Sequence, residues 1–339
     1  MALKDLFTSK AQKLKLDPRI RWFGKLPNYP DYYNSGTDED WTVEFSDWVL
    51  KGFELYRSRL AGAGSSRERL PVAACAIRLP RSRMTAFVSV LDYGGDLRGR
   101  PFPMCFYVGV PTAHWPGPTS DRVVPASRII RDLMALRREV TRFLNSPGRF
   151  EAVFGNREVD LAGLGDGSSD ESWLSAGKRM PFADWLGKAR GGLAAGDWEA
   201  WERAVGCWGD KLAKHSGDKF EATVVLPLVM GPYVDAQIAG WIHWLERRFD
   251  LRRKSLSLVV LGDPDAESGF LAVIARELVA DDFLLLTTLG RSLPYVEDLT
   301  GIKVDPSPAA APDQPDGIPV GSPPPATWTD FVSRPVAVA

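Results

Sequence analysis

The apolar positions of this chain recur with two periods, one near two residues and one near 3.6, and the alternation between them marks out the elements. Ile20-Arg21-Trp22-Phe23-Gly24 is a short strand-like run. It stops at Lys25-Leu26-Pro27-Asn28-Tyr29-Pro30-Asp31, where two prolines enforce a rigid, extended or turning loop. Thr37 with Asp40 three residues later gives a capping-box-like helix start. Trp41, Phe45, Trp48, Val49, Tyr56 and Leu60 then repeat at helical spacing, which predicts a long amphipathic helix. Strands are predicted over residues 72–79, 84–91 and 102–110, with Gly94-Gly95 breaking the second connection, the pattern of an antiparallel meander. A second long helix is predicted from Pro125 to Asn145 on a stripe of Ile129, Ile130, Leu133, Leu136, Val140 and Leu144. Ser146-Pro147-Gly148 is expected to end it.

From residue 150 to 216 the periodic signal weakens to short helical pieces around 182–186 and 198–208. An α/β alternation resumes beyond it: strand 222–228, helix 234–249, strand 256–261, helix 269–278 and strand 283–287. After Gly301 the composition turns to Pro, Ala, Asp and Ser, which predicts an extended or disordered tail, with Trp328 and Phe331 near its end as candidate anchors. The expected fold is α/β (α+β), a mostly antiparallel sheet flanked by long helices with a smaller C-terminal α/β segment. The expected division is a polar lead-in (1–18), an N-terminal α/β unit (19–150), a helical or loop connector (151–216), a C-terminal α/β unit (217–300) and a Pro-rich flexible tail (301–339).

Composition changes this picture mainly by exclusion. The chain has 339 residues, 45% hydrophobic and 25% charged, the balance of an ordinary globular protein. A net charge of −1 argues against a dedicated nucleic-acid binder, which needs a surplus of Lys and Arg on one face. Three cysteines, Cys75, Cys105 and Cys207, are too few and too scattered for a disulfide framework, so a reducing compartment is expected. No signal-peptide core and no stretch of about 20 apolar residues is present, which makes the expected location cytoplasmic without a transmembrane segment. Twelve tryptophans is an unusual load, and each is expected in a core or an interface.

Candidate chemistry is sparse. His114, His215 and His243 are scattered, and His243 with Glu246 on one helix face reads first as a hydrogen-bonded histidine and only second as a metal pair. Asp263-Pro264-Asp265-Ala266-Glu267-Ser268-Gly269 resembles the start of a calcium loop, yet its glycine comes one place late and Ile274 stands where the twelfth-position Glu belongs. It reads as an acidic loop capping the next helix. Gly163-Leu164-Gly165-Asp166-Gly167 lacks the residues of a phosphate cradle. Asp92 and Asp96 around Gly94-Gly95 read as turn residues. Arg247-Arg248 and Arg252-Arg253-Lys254 read as a solvated basic face ending a helix, with docking of an acidic partner as the alternative. No metal and no cofactor is implied.

Two segments resemble the TagF/ImpM family, accessory proteins of type VI secretion systems. Trp22-Phe23-Gly24-Lys25-Leu26-Pro27 followed by Asp31-Tyr32 and a Trp-rich helix looks like the family's opening, Gly-Lys-Leu-Pro and then Gly-Asp-Phe, with Pro30-Asp31-Tyr32 in place of the latter. Asp96-Leu97-Arg98-Gly99-Arg100-Pro101-Phe102-Pro103-Met104 looks like its Asp-x-x-Gly-Arg-x-Phe-Pro-Leu. The likeness covers residues 20–145. It implies a non-enzymatic cytoplasmic regulator acting by protein–protein binding in type VI secretion assembly, peripheral to a membrane-anchored complex. The pathway it implies includes a forkhead-associated-domain protein. The residues carried by the two motifs are Gly24, Lys25, Leu26, Pro27, Asp31, Asp96, Gly99, Arg100, Phe102 and Pro103. They are either conformational staples or a partner-binding patch. Other readings stay open: an adaptor for another secretion or signalling complex that recruits partners through Pro323-Pro324-Pro325 in its tail, or an enzyme with a site assembled from Lys25, Asp31 and Arg100.

Overall fold

The computed structural model describes residues 16–35, 39–62, 70–120, 122–144, 146–164, 171–189, 205–206, 222–249, 256–262, 267–301 and 325–334. Nine strands form one sheet: β1 (Arg21–Gly24), β2 (Tyr33–Asn34), β3 (Ala73–Leu79), β4 (Met84–Leu91), β5 (Met104–Pro111), β6 (Thr223–Val229), β7 (Ser257–Leu261), β8 (Ser268–Ile274) and β9 (Val296–Asp298). Their order is β2-β1-β5-β4-β3-β7-β8-β6-β9, and every pairing is antiparallel except β6 with β9. The expected α+β class with a mostly antiparallel sheet is what the chain adopts. The meander β3-β4-β5 joins the C-terminal strands through β3 and β7, where Cys75 lies opposite Val259.

The sheet separates two apolar cores, and the alternation of side chains along each strand assigns them. Met104, Phe106, Val108 and Val110 of β5 point to one core, while Cys105 and Tyr107 point to the other. Both faces are covered, so these strands are apolar at nearly every position, not at alternate ones. One face carries α1 (Asp40–Gly62), which buries Trp41, Phe45, Trp48, Val49, Phe53, Tyr56 and Leu60. The other face carries α2 (Val123–Thr141), α3 (Pro147–Phe154), α4 (Ser172–Lys178), α5 (Phe182–Ala189), α6 (Val234–Glu246) and α7 (Trp328–Ser333).

Two expected elements change type. Of residues 269–278, expected as a helix, 269–274 lie in strand β8, whose Phe270, Leu271, Ala272, Val273 and Ile274 are buried. A short, wholly apolar run has no readable period, and here the pairing with β6 and β7 decided it. Of residues 283–287, expected as a strand, 283–286 lie in a 3-10 helix, Ala280–Leu286, packed against α1. Its start is fixed by Asp282, which is fully buried, accepts from the Val279 amide at 2.9 Å and pairs bidentately with Arg276 at 2.7 and 2.8 Å. The segment approaches α1 at Gly52, where an added Cβ would lie 2.2 Å from Phe283 Cβ.

Smaller differences follow the same logic. Ser146-Pro147-Gly148 starts α3 as well as following α2, with Pro147 at its first turn. Trp328 and Phe331 are anchored indeed: both are buried in α7, at a place where the sequence predicted a flexible tail. Residue 37 of the expected helix start and residues 198–204 and 207–208 of an expected helical piece lie outside the described residues. Among the described residues, no helix is long and apolar enough to cross a membrane.

Candidate functional site

The two sequence motifs meet at one end of the sheet because β1 pairs with β5. Gly24 ends β1 opposite Met104, the first residue of β5, so each motif loop leaves the sheet beside the other. Gly24 has φ +150°, and a Cβ there would lie 2.1 Å from the carbonyl oxygen of Pro103. Only glycine permits both the backbone angle and the approach. Pro103 and Phe102 are buried beneath the junction.

Lys25 follows and turns inward, with Leu26 fully buried beside it. Pro27 and Asn28 form a turn closed by the Tyr29 amide donating to the Leu26 carbonyl at 3.0 Å, with Pro27 at the position its fixed φ favours. Asn28 Nδ2 donates to the Leu144 carbonyl at 2.6 Å, tying this loop to the turn that follows α2. The Leu97 amide donates to the Tyr29 carbonyl at 2.8 Å, a direct backbone link between the two motif loops.

Asp96 is the hub of the arrangement. Its side chain is completely buried, and Oδ2 lies 3.2 Å from Lys25 Nζ and 2.7 Å from Arg100 Nε. Oδ1 accepts from the amides of Arg98 (2.9 Å) and Arg100 (3.0 Å). Burial alone would raise the carboxyl pKa, but the Arg100 amide and the Lys25 and Arg100 side chains outweigh it and hold the group below the usual carboxylate range. The loop itself closes on glycine: the Gly99 amide donates to the Asp96 carbonyl at 2.8 Å with Gly99 at φ +72°.

Arg100 reaches outward from this hub and clamps the first loop. Its Nη2 donates to the Pro30 carbonyl at 2.6 Å and lies 3.5 Å from Asp31 Oδ1. Pro30 thus contributes a backbone oxygen, an atom that any residue at this position would supply. Tyr32 closes the unit above Lys25, whose Nζ lies 4.7 Å from the ring centroid. The Tyr32 ring stacks on Phe23 at 5.5 Å and meets Phe102 edge-on at 4.9 Å. Phe23, Tyr32 and Phe53 all contact Phe102; the first two stand in the opening motif but were not among the candidate site residues, and Phe53 was not singled out from sequence. Their aromatic character close to the two motifs was the available signal.

The structure therefore brings all ten motif residues into one unit. It commits the charge of Lys25 to the interior, where its side chain is 6% exposed. The outward face is made by Pro30, Asp31, Tyr32, Leu97, Arg98, Gly99 and Arg100. Leu97 is 64% exposed and Tyr32 42%, one large apolar side chain on each of the two loops that the Leu97–Tyr29 backbone link joins.

The other sequence candidates lie elsewhere. Asp92 is a turn residue, accepting from the Leu70 and Gly94 amides at 2.9 and 2.7 Å. His243 packs on Trp173 with ring centroids 5.4 Å apart, and Glu246 accepts from the Ser120 amide at 3.3 Å. Burial, and then the neighbouring Arg247, hold the His243 pKa below its ordinary value. Arg247 and Arg248 are used locally: Arg247 binds the end of α7, and Arg248 lies 3.7 Å over the Trp244 ring. His215, Cys207, Arg252-Arg253-Lys254, Asp263 to Ala266 and Gly165 to Gly167 lie outside the described residues.

No family model and no curated protein matches this chain. Among solved structures, PA0076 from Pseudomonas aeruginosa PAO1 is similar at 20% sequence identity and a TM-score of 0.24, covering 28% of this chain and 43% of that one. A likeness of that extent carries no argument by itself.

Proposed function

We propose that this protein is a non-catalytic regulator of type VI secretion assembly, and that it contacts a protein partner through the outward face of the two joined motif loops. One observation carries the reading. The motif residues that could do chemistry, Lys25 and Asp96, are turned inward and paired, while the residues left facing out are those of a recognition patch: Tyr32, Leu97, Arg98 and Arg100. An aromatic, an exposed leucine and arginines form the kind of surface that anchors protein contacts, and a loop held rigid from beneath presents them without an ordering penalty. The resemblance of the two motifs to the TagF/ImpM family supplies the pathway.

The test is made in the host bacterium. Deleting the gene is expected to change effector secretion and sheath assembly, and overexpression is expected to change them in the opposite sense. Unchanged secretion in both strains would overturn the regulatory reading. Leu97→Asp with Arg98→Ala, both exposed positions, is expected to reproduce the deletion while leaving the thermal unfolding of the purified protein unaltered. A full regulatory effect from that folded double variant would move the contact away from this face.

A further inference from the structure

The last described segment is held in a manner that differs from ordinary helix packing. Helix α7 has only six residues, too short to persist by its own hydrogen bonds. Before it, the chain lies in an extended bridge: the Phe182 amide donates to the Ala326 carbonyl at 3.2 Å and the Trp328 amide to the Met180 carbonyl at 3.0 Å. Thr327 and Asp330 then cap the helix reciprocally. At the far end Arg247 Nη1 donates to the carbonyls of Ser333 and Arg334 at 2.6 and 2.8 Å, placing a cation where the helix dipole is negative.

Between these ends a slot is cut for the side chains. Trp328 is fully buried, with Trp185 at 4.3 Å and Trp241 at 5.0 Å between ring centroids. Its room comes from Gly240 on α6, where a Cβ would lie 2.5 Å from Trp328 Nε1. Gly177 on α4 does the same for Thr329, whose hydroxyl donates to the Leu174 carbonyl at 3.0 Å. Phe331 stacks on Phe182 at 4.9 Å. Two glycines, a backbone bridge, an aromatic slot and a terminal arginine together read the chemistry of one short peptide. The segment that they hold is joined to the rest of the chain through residues 302–324, a stretch whose sequence is dominated by Pro, Ala, Asp and Gly.

We propose that the surface formed by α4, α5, α6 and the Met180–Phe182 backbone is a peptide-binding site for a short helical segment of the type Thr-Trp-x-Asp-Phe. It is loaded in cis by residues 325–334, and it takes the same segment from a second copy of this chain. The recognition combines strand-like backbone pairing with aromatic anchors in a groove. Because the ligand is tethered, occupation in cis dominates in dilute solution, and exchange between copies follows when the tether is cut or the copies are concentrated.

The experiment uses the full chain with a protease recognition sequence inserted between residues 310 and 320. After cleavage, a fluorescently labelled peptide of residues 325–334 is added in excess. The expected result is saturable binding of one peptide per chain, with the native segment released into solution and detected by mass. A peptide carrying Trp328→Ala is expected to bind more weakly by more than about tenfold. Failure of the label to enter while the cleaved chain retains its own segment would overturn the proposal. Loss of the folded state on cleavage would do so equally, since the segment would then be an inseparable part of the core. A second arm uses uncut Trp328→Ala protein: provided its circular dichroism shows it folded, it is expected to bind the wild-type peptide, and absence of binding there overturns the proposal independently.

Discussion

Lys25 Nζ lies 3.2 Å from Asp96 Oδ2 with both side chains out of solvent, so the lysine that marks the first motif is answered by the aspartate that opens the second. The two groups sit 71 positions apart in sequence only because Gly24 and Met104 are register partners in the β1–β5 ladder. Removing one partner of such a pair leaves the other buried and uncompensated. Asp96→Ala is therefore expected to lower the melting temperature more than Lys25→Met, because the aspartate also serves two backbone amides and Arg100. In denaturant unfolding, the double variant is expected to lose less than the two single losses combined. Strict additivity would show that the pair is not coupled.

The same carboxylate makes stability depend on pH in a definite direction. Its folded-state pKa is depressed below the ordinary 3.8, so its contribution is present above that value and is lost as the pH falls through and below it. Glu39, held down first by its hydrogen bond to Arg21, acts in the same sense. The wild-type protein is expected to lose stability steeply below about pH 4, and Asp96→Asn to lose it with a shallower slope. Parallel curves from pH 3 to 6 would remove Asp96 from the account.

Two glycines of the motifs separate the effect of backbone angle from that of contact. At Gly24 both apply, and Gly24→Ala is expected to cost on the order of 3 kcal/mol as the β1–β5 ladder shifts to clear Pro103. At Gly99 a Cβ would meet nothing within 4 Å, so Gly99→Ala is expected to cost only about 1 kcal/mol, from its positive φ alone. Chemical denaturation resolves the two. Equal costs would show that the approach to Pro103 is not limiting.

Gln237 is the main polar tie in the helical layer. Its Oε1 accepts from Trp185 Nε1 at 2.7 Å and from the Val229 amide at 2.8 Å, and its Nε2 donates to the Val229 carbonyl at 2.7 Å. Gln237→Leu preserves the volume but strands the buried Trp185 indole N–H and the part-buried amide and carbonyl of Val229, and about 2–5 kcal/mol of stability is expected to go with them. A loss below about 0.5 kcal/mol, measured by urea unfolding, would mean that water takes over these bonds.

Legibility in the sequence followed the strength of each local signal. The α1 stripe from Trp41 to Leu60 and the meander over residues 73–111 could be read directly, because long helical periods and punctuated apolar runs each have one structural solution. Strand β8 and the 3-10 segment Ala280–Leu286 could not, since a run such as Phe270 to Ile274 is apolar throughout and carries no period. The site was legible as a list of residues in two motifs. Their direction was not: nothing local says that Lys25 points inward and Leu97 outward.

By itself, then, the sequence determined the class of fold, the two motif loops and the glycines that let them turn, since these depend on neighbours along the chain. Tertiary structure alone decided that β3 pairs with β7 to make one sheet, that Lys25 reaches Asp96, and that Trp328 leaves a Pro-rich tail to fill a slot cut by Gly240. The physical reason is range. Hydrophobic periodicity and turn chemistry act over a few residues, whereas burial and charge pairing are settled by whichever distant groups the sheet register brings within a few ångströms.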